Sequence, residues 1–84
     1  MTNEERMAED AQGIRMGNWP HGFILPLKRL GANYIQDPDA LGFLLISNKT
    51  EVVIGNIMDL TSMEKMKRIK YSSIEELVKE WMVD

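Results

Sequence analysis

Between Leu41 and Met58 the chain carries two apolar runs separated by a polar break. Leu41-Gly42-Phe43-Leu44-Leu45-Ile46-Ser47 is followed by Asn48-Lys49-Thr50, and then by Glu51-Val52-Val53-Ile54-Gly55-Asn56-Ile57-Met58. Short runs rich in β-branched residues and bounded by Gly, Ser, Asn and Asp read as a hairpin rather than a helix. Neither run alternates with polar residues. Successive side chains on a strand point to opposite faces, so both faces of this hairpin are apolar and both need cover. Asn48-Lys49 is not an Asn-Gly pair, which favours a longer loop built on a type I turn over a two-residue primed turn. Gly55-Asn56 suggests a bulge or a close backbone approach.

Size makes that cover important. A chain of 84 residues is one domain, and a domain so small buries only roughly 60% of its unfolded surface. It has no cysteine, so no disulfide reinforces the core and thiolate zinc sites are excluded. Domains of this kind often gain stability from a partner or a second copy. The longest unbroken apolar run, residues 43–46, is too short to span a bilayer. Glu4, Glu5, Glu9 and Asp10 open the chain without an apolar h-region, so no signal peptide is expected and the cytoplasm is the expected location.

The N-terminal residues 1–18 read as an arm or short helix preceding a small α+β domain over 19–84. Thr2 and Glu5 have capping-box spacing, and Met7, Ala11 and Ile14 form a thin apolar stripe, which predicts a helix over 3–12. Asn18-Trp19-Pro20-His21-Gly22 is a turn. Residues 23–30 read as a first strand, placed at an edge or bulged because Pro26 cannot donate to a ladder. Residues 34–36 are short strand or extended chain. Thr61 and Glu64 form a second capping box, and Met63, Met66 and Ile69 predict a short helix over 62–70. Ser73 and Glu76 form a third. Ile74, Leu77, Val78, Trp81 and Met82 then give a continuous helical face, with Glu75 and Lys79 as an i,i+4 pair. The expected architecture is therefore an antiparallel sheet of about three strands centred on the 41–58 hairpin. The C-terminal helix packs on one face, and the two lesser helices, or another molecule, cover the other.

Chemistry-bearing motifs are sparse. The single histidine, His21, lies in a turn with no nucleophile pattern around it. Asp37, Asp39 and Asp59 are explained as turn residues and lack calcium-loop spacing. Gly-rich phosphate loops are absent from the sequence. No cofactor, metal or catalytic residue is expected. The chain is mildly acidic, with a net charge of −3, yet residues 61–72 carry four bases and one acid. Such a pattern lacks the broad basic face of a dedicated duplex binder.

These features point to a non-catalytic protein-binding module, of the kind that small acidic inhibitors or adaptors of phages and mobile elements represent. Its contact candidates are Trp19, Phe23, Leu25 and Leu27, with Trp19 either an exposed anchor or a plug over the sheet. The partner is another protein or a second copy, the latter making it a homodimeric structural protein. The alternative is a nucleic-acid contact protein using Lys28, Arg29, Lys65, Lys67, Arg68 and Lys70, which requires those two clusters to be neighbours in the fold.

Overall fold

β1 (Ile24–Arg29), β2 (Leu41–Leu45), β3 (Asn48–Ile54) and β4 (Arg68–Lys70) pair in turn as antiparallel neighbours. α2 (Ile74–Glu80) then carries the chain back, so that β5 (Trp81–Val83) lies antiparallel to β1. The spatial order is β4-β3-β2-β1-β5. The computed structural model describes residues 2–17, 19–20, 22–33, 35–37, 39–55 and 64–84. The sheet thus has five strands, and the expectation of about three is corrected.

Both additional strands come from segments read as helix. Residues 68–70 belong to β4 rather than to the end of a 62–70 helix; Glu64 and Lys65 form a single 3₁₀ turn, and residues 62–63 lie outside the described residues. Arg68-Ile69-Lys70 alternates with period two, and β3 offers it an edge to pair with. At the C-terminus the helix stops at Glu80. Trp81 is extended (φ −126°, ψ 147°), although its N–H still bonds the carbonyl of Leu77. Trp, Met and Val favour a pleated surface, and the exposed edge of β1 supplies the ladder.

The hairpin turns earlier than expected, and through two residues rather than a longer loop. Gly42 faces Ile54 and Phe43 faces Val53, but Leu45 faces Asn48, so residues 49–52 of β3 oppose Leu44 alone. The turn is Ile46-Ser47, and Asn48-Lys49-Thr50 is part of β3. Neither turn residue has a positive φ, so this is not a primed turn. The slip in register absorbs the mismatch in twist. Gly55 keeps a ladder-like bond to Leu41, while Asn56, the other half of the expected bulge, lies outside the described residues.

α1 runs from Asn3 to Met16, longer than the expected 3–12. Thr2 Oγ1 accepts from the Glu5 N–H at 3.1 Å, and Gly17 ends the helix in the left-handed region at φ 69°. Ser73 caps α2 in the same way, accepting from the Glu76 N–H at 3.2 Å.

Strand alternation sorts the core into two layers. Leu25, Leu27, Leu44, Val52, Ile54 and Trp81 face the helices and join Ala11, Ile14, Leu77 and Val78. Ile24, Phe43 and Val53 form a smaller cluster on the other side, with Leu45 and Met66 packed against it. α1 packs on α2, and both cover one face. The expectation that the N-terminal helix helps cover the second face is corrected accordingly. Each such buried Leu, Val or Phe contributes roughly 1.5–3 kcal/mol before the entropy of ordering is counted. No helix among the described residues is long and apolar enough to cross a membrane.

Candidate functional site

The four expected protein-contact residues fall in two classes. Trp19, Leu25 and Leu27 are buried in the helix-side core. Trp19 acts as the plug: its Nε1–H donates to the carbonyl of Gly13 at 3.1 Å, tying the turn after α1 to the helix itself. Phe23 is 57% exposed. It stands one residue before β1, and its carbonyl accepts from the Ile46 N–H at 2.8 Å.

Phe23 is not alone at that end of the sheet. Ile46 in the β2–β3 turn is 42% exposed, and Met16 at the end of α1 is 68% exposed. The Ile46 side chain lies within 3.4 Å of where a Gly17 β-carbon would stand, and Lys49 Nζ donates to the Arg15 carbonyl at 3.0 Å. The end of α1, the start of β1 and the hairpin turn are therefore held together, and each of these three segments carries one large exposed apolar residue. Ile46 and Met16 were not singled out by sequence. Ile46 closes an apolar run, and only the position of the turn reveals that it points to solvent.

The basic candidates are divided by the sheet. Lys28 and Arg29 lie on β1, whereas Arg68 and Lys70 lie on β4, with β2 and β3 between them. At about 4.8 Å per strand this is a separation of about 14 Å. Lys28 pairs with Asp84 at 3.1 Å, Lys67 with Asp39 at 3.4 Å and Arg68 with Glu51 at 3.0 Å. Arg29 projects to the helix side, its guanidinium carbon 5.5 Å from the ring centre of Trp81. Lys65 and Lys70 are exposed.

The two sheet edges are finished differently. At β5 the Arg6–Asp10 pair of α1, 2.9 Å apart, takes the outward Trp81 carbonyl and Val83 N–H. Arg6 donates to the carbonyls of Val78 (2.8 Å) and Trp81 (3.2 Å), and Asp10 accepts from the Val83 N–H (3.3 Å). At β4, Ile54 donates to Lys67 and Tyr71 donates to Thr50. In an antiparallel ladder that spacing turns the N–H and C=O groups of Arg68 and Lys70 away from β3, toward an edge that no described strand covers.

Two further features bear on chemistry. A groove of about 330 Å³ between α1 and α2 is lined by Met7, Ala11, Val78 and the Arg15–Glu75 pair. Glu75 thus pairs across to α1, and Lys79 pairs with Glu76 at 3.1 Å rather than with Glu75. Across the core, the Tyr71 hydroxyl accepts from Trp81 Nε1–H at 2.9 Å and donates to Glu80. Burial, followed by the bond to the Glu80 carboxylate, pushes the Tyr71 phenol up from 10.0 to about 12. Among the described residues no three His, Asp or Glu side chains come together as metal ligands. His21 and Asp59 lie outside the described residues. Comparison with known protein families, with characterised proteins and with solved structures finds no match to this chain.

Proposed function

We propose that this chain is a non-catalytic protein-binding module, acting as a small acidic inhibitor or adaptor. The observation that carries the reading is the exposed apolar corner of Phe23, Ile46 and Met16. Both core layers are closed within one chain: Phe43 and Val53 on one side, and Leu27 and Leu77 on the other, are at most 1% exposed. Folding therefore does not require these three side chains, yet each keeps apolar area in water at a cost of roughly 25 cal/mol per Å². Clustered exposure of this kind marks interaction surfaces, whereas apolar residues scattered singly, such as Ile35, need no explanation. The backbone beneath the corner is held by the Phe23–Ile46 and Lys49–Arg15 bonds, so little ordering is needed on binding.

The nucleic-acid reading draws less support, because Lys28, Lys67 and Arg68 already face carboxylates and the two clusters are not neighbours in the sheet.

The test places a photo-reactive phenylalanine analogue at position 23 and irradiates the protein in lysate of its own cells. A discrete heterologous adduct that disappears with Ile46→Ser is expected. A self-adduct at the mass of a dimer would transfer the corner to self-association, and labelling unaffected by Ile46→Ser would remove it as a binding surface.

A further inference from the structure

We propose that the outer edge of β4 is a strand-addition site for an extended acidic segment of a partner protein. The proposal shares with the reading above only the class of partner, and it uses a surface separate from the Phe23 corner.

The sheet has two ends, and among the described residues only one is closed by the chain itself. At β5 the Arg6 guanidinium and the Asp10 carboxylate occupy the outward Trp81 carbonyl and Val83 N–H, so that edge has no free ladder for another strand. At β4 the outward groups of Arg68 and Lys70 meet no partner among the described residues. An unpaired edge is a template for another chain, and proteins normally blunt it. Here the blunting consists of charge. Arg68 and Lys70 project to the same face of β4, with Ile69 between them on the other face. Lys65 and Lys67 stand just before the strand.

That charge selects the occupant. If a second copy added antiparallel through Ile69, Arg68 of one copy would stand opposite Lys70 of the other, a like-charge pairing that destabilises a sheet. Pairing of β4 with β5 of a second copy is blocked by Arg6 and Asp10. A segment with acids at alternate positions is favoured instead, since each acid stands across from Arg68 or Lys70. Main-chain bonds would supply the affinity and the alternate side chains the selectivity. Glu51 already shares Arg68, so Lys70 is the stronger determinant.

The experiment is amide hydrogen exchange followed by NMR on the intact protein, with three capped synthetic peptides: one alternating Glu and Val, one alternating Lys and Val, and the Glu–Val peptide N-methylated at alternate amides. The Glu–Val peptide should protect the Arg68 and Lys70 amides and bind at least about tenfold more tightly than the Lys–Val peptide at low salt. Lys70→Glu, an exposed change, should remove that preference. Equal binding of the N-methylated peptide would reduce the site to side-chain charge attraction and overturn the proposal. Protection of the same amides by self-association at high protein concentration would overturn it in favour of a second copy. Tighter binding of a single-stranded oligonucleotide at these residues would overturn it in favour of phosphate recognition. No protection at millimolar peptide would mean that the charged edge only prevents aggregation.

Discussion

The indole of Trp81 packs over the backbone of Gly42, so closely that a β-carbon on Gly42 would stand 3.2 Å from Trp81 Cη2. The same β-carbon would stand 2.8 Å from Val52 Cγ1 and 3.0 Å from the Val53 carbonyl. Gly42 is therefore the notch in β2 that lets the largest buried side chain of the protein lie on the sheet. Its φ is not in the left-handed range, so alanine meets no backbone penalty and the substitution isolates the steric effect. Gly42→Ala is expected to cost about 1–3 kcal/mol through overpacking. In urea unfolding this reads as a lower midpoint with an unchanged slope. An unchanged midpoint would mean that Trp81 and Val52 shift freely.

Arg6 joins α1 to the far edge of the sheet, and its loss should be felt well beyond the helix. Its side chain is only 15% exposed and that of Asp10 16%, so the pair is shielded from solvent more than a surface ion pair. Arg6→Ala removes bonds to two carbonyls and leaves Asp10 partly buried without its cation. The expected loss is about 2–4 kcal/mol, above a neutral hydrogen bond because charged groups are involved. Arg6→Lys should recover only part of it, since one ammonium lacks the planar fork that spans Asp10, Val78 and Trp81. Equal midpoints for the Lys variant and the parent would show that charge alone matters.

These two relationships explain why some of the architecture was legible in sequence and some was not. Local chemistry read correctly: Thr2 and Ser73 cap the helices they were expected to cap, because capping acts over three residues. The helix-covered core was legible as well, since Ala11, Ile14, Leu77, Val78 and Trp81 lie on apolar stripes. The strand count was not. Trp81 and Met82 continue a helical period, yet the same residues, with Val83, alternate as a strand, and only the free edge of β1 decides between the two. Ile69 likewise fits a helical period with Met63 and Met66, yet it pairs with Val52 because β3 offers it a ladder. Arg6 carries no local signal of its role, because its partners are 72 and 75 residues away. Of the contact candidates, Leu25 and Leu27 drew attention through their apolarity, which is also what buries them. Phe23 differs only in standing outside the strand.

Ser73 offers a test of how much α2 relies on its cap. The helix has only seven residues, too few to be stable alone, and it must deliver β5 to β1. Ser73→Ala is expected to cost about 1 kcal/mol, which for a domain of this size lowers Tm by roughly 4–8 °C. Ser73→Asp should retain the parent Tm, because the carboxylate accepts the same N–H and suits the helix N-terminus. A drop of equal size in both variants would place the effect elsewhere than the cap.

Tyr71 sets an alkaline limit on stability. Its phenol is partly buried, and it donates to Glu80 while accepting from Trp81; an ionised Tyr71 would place a phenolate beside that carboxylate and lose the donated bond. The folded-state pKa is raised from 10.0 to about 12, so between these values the native state holds a proton that the unfolded chain has released. Stability contributed by this group is therefore complete below pH 10 and is lost as pH rises toward about 12. The effect is read as a difference between two proteins that share every other ionisable group. The parent should lose stability between these pH values faster than Tyr71→Phe, which has no phenol to ionise. At neutral pH the Phe variant should be the weaker protein, because Trp81 Nε1–H loses its acceptor, a loss of about 1–3 kcal/mol for a buried donor left unsatisfied. Parallel pH profiles for the two proteins would show that the Tyr71 hydroxyl is as free to ionise in the fold as in the unfolded chain.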